Sequence, residues 1–283
     1  MSLQQDLLET LVPVVQQLEL PPVTRLWLPP LQSRAVFCDE FGFVMLDSGA
    51  IGAFYVSLDD TLPQLWQQFP DPAQVRLPLE LLLDRLLKTD LPSRALGLGA
   101  YNALSQHLMQ QAGYQPAQRR HQAGVEATPA STIGMVGYFG PLVERLLAQG
   151  NRVRVLEKLP ERIPEREQLE AVDTAAALAD CTQVICTAST LVNGTLDDIL
   201  QACREVPEFV LTGPSAGGLP DALFARGIHR VGATRFADPQ RLLDTLNGGA
   251  SWGKAGDKYD ISPAEYPGLA RLLEQAQHPP AHN

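Results

Sequence analysis

Two runs of small polar residues, TASTLVNGT at 187–195 and TGPSAGG at 212–218, carry the groups with which this chain could hold a small molecule. Each follows a short apolar run and precedes a helix-like one, so each reads as the loop leaving the carboxyl end of a buried strand. Ligands of open parallel sheets bind at such ends. In the first loop Asn193 and Gly194 tolerate positive φ, and Asn193 brings an amide donor and acceptor. Thr195 is placed to cap LDDILQACRE, with Asp198 three residues on completing a capping-box-like pair. In the second loop Pro214 sets the chain direction and Ser215 offers a hydroxyl. GPSAG is not GxSxG and no His/Asp partner is assignable, so Ser215 reads as a hydrogen-bonding residue rather than a nucleophile.

A third loop, Gly134-Met-Val-Gly137-Tyr138-Phe139-Gly140-Pro141, combines a glycine turn with a proline suited to the first helical position. A helix amino end there could receive an anionic group. The spacing is GxxGxxG, and Tyr138 and Phe139 put bulk where a pyrophosphate would pass, which argues against NAD(P). Glu157 closes the next strand, where dinucleotide-binding proteins place a ribose-binding acid. A nucleotide-like or aromatic ligand in this crevice and a purely structural turn both fit the pattern.

Metal chemistry finds little support in the residues. The five histidines (His107, His121, His229, His278, His282) show no HxH or HxxxH pairing. Cys38, Cys181, Cys186 and Cys203 lie in apolar contexts without CxxC spacing and read as buried free thiols. Ligands could still converge from separate loops, Asp47 with Glu157 for example; these two are also the credible general bases.

The elements that must position these loops follow from the pattern of apolar residues. Leucines and valines at helical spacing predict a helix over 3–18, kinked or ended by Pro13. Strands are expected at 23–28, 34–38 and 42–46, with extended chain at 53–57. Helices follow at 62–69, 79–87 and 95–111, an α+β arrangement. Polar residues with Gly and Pro at 116–130 read as a linker between a first domain, 1–115, and a second, 131–277. In the second, strands at 131–137, 152–157, 183–188, 208–212 and 229–233 alternate with helices near 141–149, 165–178, 196–204, 220–225 and 239–246. Five β-α units predict a parallel five-stranded sheet, Rossmann-like, with the strand at 131–137 central. A last helix over 264–276 precedes a disordered tail, 278–283. The segment GGASWGKAGDK at 248–258 holds Trp252 and two of the four lysines and reads as a surface loop or a lid over the crevice.

With 283 residues and 45% apolar content the chain can bury two cores. A net charge of −10, with basic residues dispersed, excludes nucleic acid and anionic membrane as default partners. The start MSLQQDLLET has neither a basic nor an apolar signal region and no run reaches membrane-spanning length, so a cytoplasmic protein is expected. A small-molecule or anionic ligand is the expected partner, with a homodimer as the assembly held open.

The run ADCTQVICTASTLVNGTLDDIL, the later VLTGPSAGGLPDALFARGIHRVGATRFADP and the GxxGxFGP turn resemble the DUF364 family, described as a heavy-metal chelation domain. Residues 1–115 look like its usual companion, similar to the enolase N-terminal fold, with Gly99-Ala100-Tyr101-Asn102-Ala103 matching the family's helix. The resemblance implies an interdomain ligand cleft, a metal ion or metal-organic ligand as cofactor, and a link to metal or tetrapyrrole metabolism. Lining that cleft are expected Gly137, Tyr138, Phe139, Glu157, Asn193, Gly194, Thr195, Pro214 and Ser215, with Asn102 reaching in from the first domain. The rival reading is a transferase or lyase acting on a nucleotide- or pterin-like substrate in the same cleft.

Overall fold

A computed structural model describes residues 2–31, 40–118 and 130–278. The strand expected at 34–38, most of the linker and residues 279–283 of the tail lie outside the described residues. The first helix, α1 (Leu3–Gln17), begins at a capping box in which Ser2 and Gln5 satisfy each other's main-chain amides. It continues through Pro13, because Leu11 and Val14 on either side are buried and hold the turn in place. Strands β1 (Val23–Trp27), β2 (Phe41–Leu46) and β3 (Ile51–Tyr55) form an antiparallel meander in the order β1-β2-β3. Then come α2 (Thr61–Gln68), α3 (Glu80–Leu83), a 3-10 turn at Asp84–Leu87, and α4 (Leu91–Gln111).

Helix α4 organises the molecule. Every residue from Ala95 to Met109 is buried, so it has no solvent face, and such helices belong in interiors. One side rests on β3, where the backbones nearly touch: a Cβ at Gly52 would lie 2.0 Å from the Gly99 carbonyl oxygen. The other side meets the loops of the second sheet.

That sheet contains β4 (Thr132–Val136), β5 (Arg152–Leu156), β6 (Leu169–Val172), β7 (Gln183–Thr187), β8 (Glu208–Thr212), β9 (Arg230–Arg235) and β10 (Asp257–Ile261). Its helices are α5 (Gly140–Ala148), α6 (Ser189–Asn193), α7 (Leu196–Ala202), α8 (Asp221–Ala225), α9 (Pro239–Asn247) and α10 (Leu269–Gln277). The order is β10-β9-β8-β7-β4-β5-β6, parallel throughout except for β9 with β10. The five expected strands are present and parallel, but the sheet has seven. The expected helix at 165–178 is instead β6, which pairs with β5, followed by a 3-10 turn at Ala175–Leu178. The unpaired edge of β5 overrides a helix-like composition there. Strand β10, unforeseen, closes the other edge. Strand β4 is interior, yet β7 is the middle strand, because the chain runs outward from β4 in one direction and restarts at β7 in the other. The last helix begins at Leu269 rather than near 264, after Gly268 at φ 86°, with Asp221 accepting from the Leu269 amide at 3.2 Å.

Side chains alternate across the sheet. Ile133 and Met135 of β4 join Val153, Val155 and Ile185 beneath Leu142, Val143 and Leu146 of α5. Val136, Val184 and Cys186 face the opposite way, into one buried cluster that runs from Leu3 of α1 to Leu273 of α10. The two sheets therefore share a core across α4.

Candidate functional site

The order β6-β5-β4-β7-β8-β9 is the doubly wound order with its reversal between β4 and β7, the place where such sheets receive ligands. A cleft of about 1310 Å³ opens there, above the 300–1,000 Å³ usual for small-molecule sites. Its floor comes from the carboxyl ends of β4, β7, β8 and β9. Phe41, Tyr55 and Ser57 to Asp59 of the first sheet, with Trp252, complete the walls. Phe41 packs edge-on against both Tyr55 and Trp252, with ring centroids 5.4 and 5.2 Å apart, so three rings with Phe41 in the middle form one side. Tyr138 and Phe139 also line the cleft.

The glycine turn after β4 is held by the protein's own carboxylate. Gly137 adopts φ +83° and donates to the Leu156 carbonyl at 2.9 Å. The next amide, of Tyr138, donates to Glu157 Oε2 at 2.8 Å, and the Leu159 amide donates to Oε1 at 3.1 Å. Arg162 Nη1 lies 3.6 Å from Oε2, and the Glu157 side chain is 9% exposed. Glu157 thus lines the cleft, but its oxygens are engaged by the turn. The amino end of α5 begins at Phe139 with no side-chain cap, and Glu157 takes the amide of the residue just before it.

At the end of β7, Thr187 Oγ1 accepts from the Ser189 amide at 3.3 Å and so starts α6. Asn193 Oδ1 accepts from both the amide and the hydroxyl of Thr195, at 3.1 and 2.7 Å. The capping expected of Thr195 is not made: its backbone is helical, it makes no side-chain cap, and its amide and hydroxyl are instead tied back to Asn193. Both residues line the cleft. Gly194, at φ 75°, does not. It terminates α6 on the α4 side, where an added Cβ would meet Arg94 Nη1 at 2.7 Å, and Arg94 donates to the Val192 carbonyl at 3.0 Å.

Asn102 likewise stays out of the lining, in contrast to the expectation. It is 1% exposed, and its Nδ2 donates to the carbonyls of Ala53 on β3 and Ser215, at 2.8 and 2.9 Å. Along the same helix Tyr101 donates to the Leu219 carbonyl at 2.8 Å and Gln106 Nε2 to that of Gly217 at 2.6 Å. Three side chains of α4 thus read alternate carbonyls of the 215–219 loop. Pro214 and Ser215 do line the cleft, and the Ser215 hydroxyl is buried with no protein partner.

Sequence reasoning missed Phe41 and Tyr55, which carry no signal beyond being strand aromatics, and Thr187, Thr212 and Arg162. Asp47 is exposed in the β2–β3 turn and is not among the cleft residues, so it is not brought to Glu157. Among the described residues no group of three or more His, Cys, Asp or Glu could hold a metal ion. His229 Nδ1 accepts from the Phe209 amide at 3.0 Å. His107 is buried on α4, and burial pushes its pKa down. Burial also pushes the thiols up, to about 12 for Cys186 and about 11 for Cys203. Such thiols are poor metal ligands and poor nucleophiles. The donor set does not fit a preformed protein metal centre. Among the described residues no helix is long and apolar enough to cross a membrane.

The chain is similar to an uncharacterized protein of Methanocaldococcus jannaschii, 26% identical over 211 residues that cover 73% of this chain and 79% of the relative. Two crystal structures share its fold, both of DUF364-family proteins of unknown function. One, from Pyrococcus horikoshii, has a TM-score of 0.62 and 20% identity over 92% of this chain and 98% of its own. The other, from Desulfitobacterium hafniense, has a TM-score of 0.63 and 20% identity over 91% and 98%. Residues 122–262 match the family model of DUF364, which bears the description "Putative heavy-metal chelation". That match spans the switch-point sheet, so residues 122–262 belong to the DUF364 family, and the two solved structures show that the whole chain shares the fold of its members.

Proposed function

We propose that the protein binds a small organic ligand in the cleft between the first sheet and the switch point of the second. The observation that carries this reading is the cleft itself: its floor is a row of uncharged hydrogen-bonding groups, Thr187, Ser189, Asn193, Thr212 and Ser215, beneath aromatic walls. That composition suits an organic molecule with an apolar body and a polar edge. Fold alone does not assign function, so the weight rests on these side chains. A metal would reach the site as part of the organic ligand, which reconciles the family's description with described residues that offer no converging donor set. A binding role is favoured over catalysis through Glu157 or Asp47, since the first is committed to the turn and the second lies outside the cleft.

Native mass spectrometry with elemental analysis of the purified protein tests this. A bound organic mass is expected, and Ser189→Trp, which fills the cleft with an indole, should abolish it. Retention of the same mass by folded Ser189→Trp would place the ligand elsewhere.

A further inference from the structure

The proposed binding role leaves the chemical class of the ligand open, and two buried groups narrow it. Ser215 is fully buried, lines the cleft, and its hydroxyl has no protein partner. An unmet buried hydroxyl is costly, so a ligand group that reaches it is favoured. Glu157 acts in the opposite sense. Its carboxylate takes the Tyr138 and Leu159 amides at 2.8 and 3.1 Å, and neutralises Arg162 at 3.6 Å. These are the turn amide and, of the three cations lining the cleft (Lys158, Arg162 and Lys258), the one held at that turn, which would otherwise receive a phosphate there. A phosphate there would meet a nearly buried carboxylate.

We infer that the cleft selects a planar heteroaromatic ligand anchored by an uncharged lactam- or amide-type edge on Ser215, and that Glu157 bars its phosphorylated counterparts. Attraction and exclusion are then separate devices, as selective sites commonly use both. The hydroxyl can donate to the carbonyl of such an edge or accept from its N–H. The ring body would lie among Tyr138, Phe139 and Trp252, where stacking tolerates several ring systems. This inference rests on the binding role proposed above.

The test uses matched probes measured by calorimetry on the full chain: riboflavin against riboflavin phosphate, biopterin against its phosphate-bearing analogue, and inosine against its monophosphate. At least one uncharged member should bind, with its phosphorylated partner at least tenfold weaker. Ser215→Ala should weaken the uncharged probe about tenfold, the worth of one hydrogen bond. It should leave the apo protein no less heat-stable, because it removes only an unpartnered group. Glu157→Gln, which removes the charge and releases Arg162, should narrow the gap within each pair at least threefold. Circular dichroism confirms that each variant is folded. Equal or tighter binding of the phosphorylated member, an unmoved affinity in Ser215→Ala, or no binding by any uncharged probe overturns the inference. A co-purifying phosphorylated compound lost in Ser189→Trp would also overturn it while leaving the binding role intact. Failure of every probe together with no bound mass in the purified protein sinks both.

Discussion

Replacing Asn102 should damage the whole fold, because this side chain ties three parts of the molecule together: α4, strand β3 and the 215–219 loop. Its Nδ2 group serves two buried carbonyls, those of Ala53 and Ser215. Asn102→Ala leaves both without a donor, at about 1–3 kcal/mol each. The Asn102 Oδ1 atom is itself buried without a partner, so its removal returns roughly one such cost. The balance is a loss of about 1–3 kcal/mol, a sizeable share of the ~5–15 kcal/mol typical of a domain. Asn102→Asp keeps the shape but sets oxygens against two carbonyls, so it should be worse near neutral pH. Once protonated, the introduced carboxyl could still donate to one carbonyl, so its folded-state pKa would rise above the ordinary ~3.9. In that window the native state holds a proton the unfolded chain has released, and stability falls as pH rises. Urea denaturation at 25 °C, followed by far-ultraviolet circular dichroism and by tryptophan fluorescence, measures these effects. Because one core cluster spans both sheets, the two signals should shift together as a single transition with an unchanged slope. A loss below 1 kcal/mol in both variants, or two separated transitions, would refute the reasoning.

Three other outcomes are expected. His107 is buried with Nδ1 unpartnered and its folded-state pKa lies below the ordinary 6.5, so the unfolded chain takes up its proton first as pH falls. The stability it contributes is present above about pH 6.5 and is lost below it, at up to ~1.4 kcal/mol per pH unit; unfolding midpoints at pH 7.5 and 5.5 should therefore differ less in His107→Gln than in the parent. Cys181, Cys186 and Cys203, all buried with raised pKa values, should stay unmodified by iodoacetamide at pH 8 and react only on unfolding, as peptide mapping would reveal; native labelling of Cys186 would contradict its placement. After dialysis against a weak chelator the protein should hold well under one equivalent of zinc, nickel or iron by plasma emission spectrometry, whereas stoichiometric metal would establish a protein-borne centre.

Much of the second sheet was legible in the sequence, because strands buried on both faces are written as short apolar runs and the loops leaving them as small polar residues. Local chemistry also marked Gly137, Tyr138, Phe139, Glu157, Asn193, Thr195, Pro214 and Ser215, and the cleft gathers all eight. What the sequence could not supply was the role each group has left to play once its neighbours are in place. Glu157 reads as a ribose acid until the Tyr138 and Leu159 amides take its oxygens, a hydrogen bond across 19 residues in the first case. Asn102 and Gly194 read as cleft residues until α4 claims them, through bonds to carbonyls 49 and 113 residues away for Asn102 and through the close approach of Arg94 for Gly194. Phe41 and Tyr55 face each other across β2 and β3, but Trp252 meets Phe41 only because the first sheet docks over the second. Strand β6 depended on an open edge at β5, and β10 on one at β9. Periodicity and turn chemistry act over a few residues and are carried by the chain itself. Hydrogen-bond partners, edges and walls are set by segments distant in sequence, and only the folded structure decides among them.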